Sequence, residues 1–362
     1  MFIDIQGRKI GRAHPVFIAA ELSCNHLQKF DLAVKTIKAI KRAGADAVKT
    51  QAFTADTITL NCKNNFFKIK QGSIWDGQYL HALYRKAATP WKWQPKLKKI
   101  AEDLGLVFFS SPFDKGAVDF LEEIGVAAYK IASFEITDIP LIEYAASKKK
   151  PLILSTGVAY KREIKEAVGA CRKKGNNKIA LLKCVSAYPA PLNEMNLSLI
   201  PRLYKDFKCA VGISDHTLGV SVPVAAVSLG AKIIEKHFIL HRNLKSLDAA
   251  FSLEPEEFAL MVKSVREAEK ALGDNSYKLA ASAQRSREFS RSLFAVKDIE
   301  KGQLLGEGNI KSIRPGFGLH PRYLQRVLGK RAKRKILRGQ PLRWDMILLK
   351  KSAKEQKRKT RR

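Results

Sequence analysis

The sequence predicts an α/β protein, a parallel (β/α)₈ TIM barrel with a small strand-containing domain behind it. Three observations predict this. Eight short apolar runs recur before residue 274, amphipathic helical stretches alternate with them, and past residue 290 the period gives way to short segments broken by Gly and Pro.

The runs are Val16–Leu22, Ala47–Phe53, Leu106–Phe113, Ala127–Phe134, Leu152–Val158, Ile179–Val185, Ala210–Ile213 and Ala231–Phe238. Each is rich in β-branched or aromatic residues and too short for a helix of ordinary length. Helical periodicity marks Leu32–Ala43, Ala117–Ile124, Leu141–Ser147, Ile164–Lys173 and, after the eighth run, Pro255–Leu272. A doubly wound open sheet would suit the same alternation, but no G-x-G-x-x-G follows the first run and no P-loop is present. The connection from Ala52 to Leu106 holds one helix that completes its unit and an insertion besides, which at the carboxyl side of a barrel strand predicts a lid or binding wall. The division expected is a barrel over 1–273, a polar linker over 274–289, a small domain over 290–349 and a basic disordered tail over 350–362.

Lys and Arg number 66 and Asp and Glu 34, a formal net charge of +32. The tail carries +7 and residues 290–349 carry +10, leaving +15 over the other 289 residues. Runs such as Lys330–Lys335 could neutralise phosphates, so a basic nucleic-acid-binding barrel is the non-enzyme reading. No base-stacking aromatic motif or zinc-finger spacing accompanies the charge, which favours a solvated face and leaves nucleic acid outside the expected partners. The sequence contains no apolar stretch long enough for a membrane span, and charges interrupt the amino terminus where a signal peptide needs an apolar core. A cytoplasmic protein is expected. Its five cysteines, without a C-x-x-C pair, read as reduced core residues.

Barrel enzymes work at the carboxyl ends of their strands. Here those ends are polar: Glu21 and His26; Lys49 and Gln51; Ser111; Lys130, Ser133 and Glu135; Ser155; Lys183, Ser186 and Tyr188; Ser214 and His216; Glu235 and His237. A lysine in an apolar strand is costly unless it meets an anion. Lys49, Lys130 and Lys183, with the hydroxyls of Ser111, Ser133, Ser155 and Ser214, are therefore suited to a phosphate or carboxylate pocket. His216 and His237 close neighbouring strands about 4.8 Å apart, within reach of one ion. Two histidines could equally be hydrogen-bonding residues of a polar pocket. If they hold a metal, oxygen ligands complete its shell, and Mn²⁺ or a similar divalent ion suits them better than structural zinc.

The segments AELSCNH, GADAVKTQ, FSSPFD, AYKIASFE, LSTG, GISDHT, IEKHF and SIRPGFG, in this order and spacing, resemble the sialic acid synthase family of phosphoenolpyruvate-dependent nonulosonic acid synthases. The resemblance covers the chain apart from its basic tail. SIWDGQYLHALYRKAATPWKW, YPAPLNEMNL and RPGFGLHPR are similar to the branch that makes pseudaminic acid. It implies a barrel with a carboxyl-terminal antifreeze-like (SAF, β-clip) domain, and condensation of phosphoenolpyruvate with 2,4-diacetamido-2,4,6-trideoxy-L-altrose to give pseudaminic acid and phosphate. The neuraminic and legionaminic acid branches are the alternatives. Carried over by position, the resemblance implies His216 and His237 as metal ligands, with Mn²⁺ the expected cofactor and Mg²⁺ or Co²⁺ the alternatives. It implies a phosphoenolpyruvate site of Lys49, Ser111, Lys130, Ser133, Ser155 and Ser214, Glu135 handling the attacking water, and Glu21, Gln51, Tyr188 and Asp248 facing the sugar. Arg314 is implied to reach the active site of the other protomer in a homodimer whose SAF domain caps its partner. Ser186 stands near the phosphoenolpyruvate where the neuraminic acid branch has asparagine, and Phe134 stands where it has glycine. Phe134 is the expected specificity residue, since a 6-deoxy sugar presents a methyl group where hexosamines carry a hydroxyl.

Overall fold

The structure is a computed structural model and describes residues 2–349; the basic tail lies outside the described residues. It divides after Asp274 into two compact units.

The first unit opens with a β-hairpin that the apolar runs do not include, β1 (Phe2–Ile5) and β2 (Arg8–Gly11). Gln6 and Gly7 turn it at φ 51° and 81°, and the Gly7 amide donates to Asp4 Oδ1 at 2.8 Å. Two positive-φ residues match the twist of a two-residue hairpin. Ile3, Ile5 and Ile10 then pack into the amino-terminal end of a barrel, against Phe17, Ala47, Val107, Phe109 and Ile233.

The barrel strands are β3 (Phe17–Glu21), β4 (Ala47–Ala52), β5 (Val107–Pro112), β6 (Tyr129–Ile131), β7 (Leu152–Ser155), β8 (Ile179–Cys184), β9 (Ala210–Asp215) and β10 (Ile233–His237). All eight are parallel and β10 closes on β3. The helices that follow them are α1 (Phe30–Arg42), α4 (Gln94–Asp103), α5 (Lys115–Glu123), α6 (Ile139–Ser147), α7 (Lys161–Lys173), α8 (Leu199–Phe207), α9 (Ser221–Ser228) and α10 (Pro255–Leu272). The insertion supplies α2 (Ala55–Ile58) and α3 (Leu80–Ala87) between β4 and α4. Each strand lies within its apolar run except β9, which continues to Asp215. The run at Ala127–Phe134 yields only three strand residues, because Ser133–Glu135 winds into a 3₁₀ turn.

Strand parity sorts the side chains. Ile18, Ala20, Val48, Phe108, Ile131, Leu154, Ile179, Leu181, Ile213 and Ile234 pack outward on the helices, while Phe17, Ala19, Phe109, Ile153, Leu182 and Ile233 fill the barrel. Lys183 shares the parity of Ile179 and Leu181. It therefore lies on the helix side, donating to Cys184 O at 2.7 Å, and Cys184 takes the inward position. This corrects the expectation that Lys183 lines the anion pocket. Gly212 is the inward residue of β9, and a Cβ there would overlap the Ile233 carbonyl and sit 2.8 Å from Leu182 Cδ2. The barrel is too tight at that level for any larger residue.

The five thiols are free; four are buried, whereas Cys62 in the insertion is only half-buried and is not a core residue. Among the described residues no helix is long and apolar enough to cross a membrane.

The second unit begins with α11 (Ala281–Ser286), a short exposed helix in the segment read as linker. Strands β11 (Ser292–Ala295) and β12 (Ile310–Ile313) pair antiparallel, as do β13 (Arg331–Ala332) and β14 (Ile347–Leu348), and α12 (Leu324–Val327) falls between the two pairs in the chain. Leu293, Ile299, Leu305, Ile310, Ile336 and Leu342 form its own core. Lys333, Arg334 and Lys335 are exposed, and the last two pair with Asp345 at 3.1 Å and Glu300 at 2.7 Å. These three basic residues lie on the surface of the second unit.

Candidate active site

The inward parity that buries Phe17 and Ala19 lower in β3 brings Glu21 to the carboxyl end, and the same rule brings up Lys49, Ser111, Lys130, Ser155, Ser214, Glu235 and His237. All eight are less than 9 % exposed, so the mouth of the barrel is a buried polar layer on an apolar floor.

Its hub is Glu235, a strand-end residue to which the sequence assigned no part. Glu235 Oε1 lies 2.9 Å from Lys49 Nζ and 3.6 Å from Lys130 Nζ, and accepts from Ser214 Oγ at 3.1 Å. Lys49 Nζ also meets Glu21 Oε2 at 2.7 Å. Burial raises the cost of ionising Glu235, but Lys130 and Lys49 outweigh it and hold the carboxyl below the usual range. Burial pushes Lys49 down to about 8 against the pull of Glu235. Lys49 and Lys130 thus stand buried at the mouth with their charges shared by Glu235 and Glu21, and an anion that entered would compete with those carboxylates for them. The Ser111 and Ser155 hydroxyls and the Oε2 atoms of Glu235 and Glu135 are buried there without hydrogen-bond partners. Buried polar groups are seldom left so, and these four atoms are open to a water or a ligand.

Glu135 ends the 3₁₀ turn after β6, and burial raises its carboxyl to about 7 despite Lys130 nearby. Ser133 Oγ, on the same turn, accepts from the Gly157 amide at 3.1 Å. A Cβ on Gly157 would overlap Ser186 Oγ and sit 2.8 Å from Ser133 Oγ, so the LSTG turn approaches both hydroxyls too closely for a side chain. Gln51 donates to Ser23 Oγ at 3.1 Å and Glu21 Oε1 accepts from the Ser23 amide at 2.9 Å, joining the first two strand ends.

His216 and His237 stand with ring centroids 5.3 Å apart. His216 Nδ1 is 3.0 Å from the Val185 carbonyl, which fixes Nδ1 as the donor and leaves the Nε2 lone pair free. His237 Nδ1 faces Asp248 Oδ2 at 3.4 Å, close enough for the carboxylate to orient the imidazole once the hydrogen bond tightens. Two nitrogens so prepared fit a divalent cation. Among the described residues no group of three or more His, Cys, Asp or Glu forms a complete protein cage, so the rest of a shell would be oxygen from water or substrate. Behind the pair, on the helix side, Lys236 Nζ meets Asp215 Oδ2 at 2.6 Å.

Aromatic rings wall this side of the mouth. The Tyr188 ring is 4.5 Å from that of His216, and Phe251 is 4.9 Å from His237. Phe251, which the sequence did not single out, follows Asp248 in a 3₁₀ turn that carries no repeat pattern. His26 is a buried neutral residue: Nδ1 accepts from the Gln28 amide, Nε2 bonds Thr89 Oγ1 at 3.0 Å, and burial lowers its pKa to about 4. Phe134 is 60 % exposed on the rim. Arg314 lies exposed in the second unit.

The NeuB family profile matches residues 36–277 and the SAF domain profile matches residues 290–348. The chain is 46% identical over 328 residues to a protein of Campylobacter jejuni named pseudaminic acid synthase, covering 91% of this chain and 95% of that one. It is 45% identical over 334 residues to the protein of that name in Helicobacter pylori, covering 92% and 98%. Among solved structures, an N-acetylneuraminic acid (sialic acid) synthetase from Leptospira borgpetersenii in complex with citrate superposes with a TM-score of 0.72 at 35% identity, covering 80% of this chain and 96% of that chain.

Proposed function

Since the chain belongs to the NeuB family and carries a SAF domain, we propose that it condenses phosphoenolpyruvate with 2,4-diacetamido-2,4,6-trideoxy-L-altrose, giving pseudaminic acid and phosphate. The observation that carries this is the 46% identity to a pseudaminic acid synthase across 91% of the chain, barrel and SAF domain together. It is a transferase reaction. C3 of phosphoenolpyruvate bonds to C1 of the open-chain sugar, water adds at C2, and phosphate departs with cleavage of its C–O bond.

The buried layer supports these roles for the chain's own residues. Lys49 and Lys130, both buried, bind the phosphate and carboxylate of phosphoenolpyruvate, with Ser111, Ser133, Ser155 and Ser186 donating to the remaining oxygens and Ser214 joining them once its hydroxyl turns from Glu235. Glu135 takes a proton from the water that adds at C2, a task suited to a carboxyl with a pKa of about 7. Glu21, Gln51, Tyr188 and Asp248 orient the sugar. His216 and His237 would hold a divalent cation, Mn²⁺ by preference and Mg²⁺ or Co²⁺ as alternatives, which supplies Lewis-acid polarisation of the aldehyde oxygen.

The working form in this reading is a homodimer in which each SAF domain caps the partner's barrel and Arg314 brings its charge to the partner's site. Exposed apolar side chains on the loops around the mouth support a cap: Phe134 at 60 %, Tyr160 at 70 %, Leu192 at 67 % and Leu218 at 49 %. The free thiols support a reducing compartment, the cytoplasm.

The test is phosphate release from phosphoenolpyruvate with Mn²⁺, comparing the diacetamido-trideoxy-altrose, N-acetylmannosamine and the legionaminic acid precursor, with mass analysis of products. Selective turnover of the altrose is expected. Selective turnover of another sugar keeps the reaction and moves the branch.

A further inference from the structure

Trp75, in the insertion, reaches the rings at the barrel mouth. Asp76 gathers the turn before α3: its carboxylate accepts from the amides of Gln71, Gly72 and Ser73 at 3.1, 2.9 and 2.9 Å. Ile74, Asp76 and Gly77 are exposed on that turn, whereas Trp75 is drawn inward. Its ring lies 5.4 Å from Tyr188 and 6.3 Å from Phe251, the two rings that pack on His216 and His237. Its Nε1 donates to the Leu247 carbonyl at 3.2 Å, one residue before Asp248.

We propose that Trp75 is a specificity residue, the apolar wall of the sugar subsite, which accepts a methyl-bearing substituent and disfavours a hydroxyl. An indole has a single hydrogen-bond donor and no acceptor. Leu247 O already engages that donor, so the surface Trp75 offers a substrate beside Tyr188 is carbon only. A sugar hydroxyl set against it would leave water without a replacement partner, whereas an acyl or deoxy methyl gains contact. Phe134, by contrast, has no ring partner among the described residues and stands mostly in solvent. The inference rests on the synthase reading above.

The experiment measures steady-state kinetics of wild type, Trp75→Phe and Trp75→Ala with the diacetamido-trideoxy-altrose and N-acetylmannosamine, with melting temperatures for all three proteins. Trp75→Ala should raise KM for the altrose about tenfold or more, narrow the preference for it over N-acetylmannosamine, and leave KM for phosphoenolpyruvate within about twofold. Trp75→Phe keeps the apolar face and loses the donor, so it should restore most of the sugar affinity. Three results overturn the proposal: an unchanged KM for the altrose in Trp75→Ala, an equal rise in both KM values, or equal damage in Trp75→Phe. The last would assign Trp75 to anchoring the loop at Leu247. A wild type inactive on every sugar defeats the synthase reading itself, an outcome separate from these.

Discussion

Lys236 Nζ lies 2.6 Å from Asp215 Oδ2 with both side chains wholly buried, and each residue stands immediately before one of the two mouth histidines. Asp215 Oδ1 accepts in turn from the Thr217 amide at 2.9 Å and hydroxyl at 2.8 Å, and Lys236 also donates to the Thr217 carbonyl. Removing one partner leaves an uncompensated charge in the helix layer. Lys236→Met should therefore lower stability by about 3–5 kcal/mol in chemical denaturation. The double variant Asp215→Asn, Lys236→Met should recover part of that loss, because it removes the stranded charge and keeps an acceptor for the Thr217 amide and hydroxyl.

Glu135 sets a pH dependence whose sign follows from its raised pKa. In the base role proposed above it must be ionised, so turnover should rise as pH passes through about 7. Stability runs the other way. The folded chain holds the proton more tightly than the unfolded chain, where a glutamate titrates at its ordinary value of 4.5, so this contribution is full below 4.5 and is lost as pH climbs through about 7. Glu135→Gln should sharply lower kcat, leave metal content intact and flatten that part of the stability profile. A variant with ordinary turnover removes Glu135 from the role.

Replacing His216 and His237 together by Ala should abolish both Mn²⁺ binding, read by calorimetry, and the metal dependence of phosphate release. An unchanged metal requirement would count against the two imidazoles as ligands.

Gly157→Ala forces a methyl into the space shared by the Ser133 and Ser186 hydroxyls. KM for phosphoenolpyruvate should rise by an order of magnitude or more, about 1.4 kcal/mol per tenfold, with a smaller change for the sugar. Equal changes for both substrates would place the damage in the fold rather than in the anion site.

In the homodimer proposed above, Arg314→Ala should weaken sugar affinity while leaving metal binding unchanged. Mixing it with a Glu135→Gln protein tests the trans arrangement: heterodimers regain one complete site only if Arg314 acts across the interface.

The barrel was legible because eight buried strands produce eight apolar runs, and the active layer because lysine and glutamate are conspicuous at the ends of such runs. Orientation was harder to read. Lys183 resembled Lys49 in composition, and only its parity with Ile179 and Leu181 turns it away from the mouth. Glu235 stood in plain view at the end of β10, yet its part as counter-ion to Lys49 and Lys130 depends on strands that meet only when the barrel closes. Trp75 and Phe251 sit on irregular segments, where no period reports which way a ring faces. The β1–β2 hairpin carried a local signal, two alternating four-residue strands about Gln6-Gly7, but its brevity hid it beside the longer runs.

That hairpin matters to anyone who trims the gene. The family profile begins at residue 36, beyond β1, β2 and β3 alike. A truncation that kept β3 but dropped the first eleven residues would still strip Ile3, Ile5 and Ile10 from Phe17, Val107 and Phe109. Water would then reach the apolar floor from below, at the end of the barrel opposite the buried polar layer, although every residue of that layer would still be in the chain.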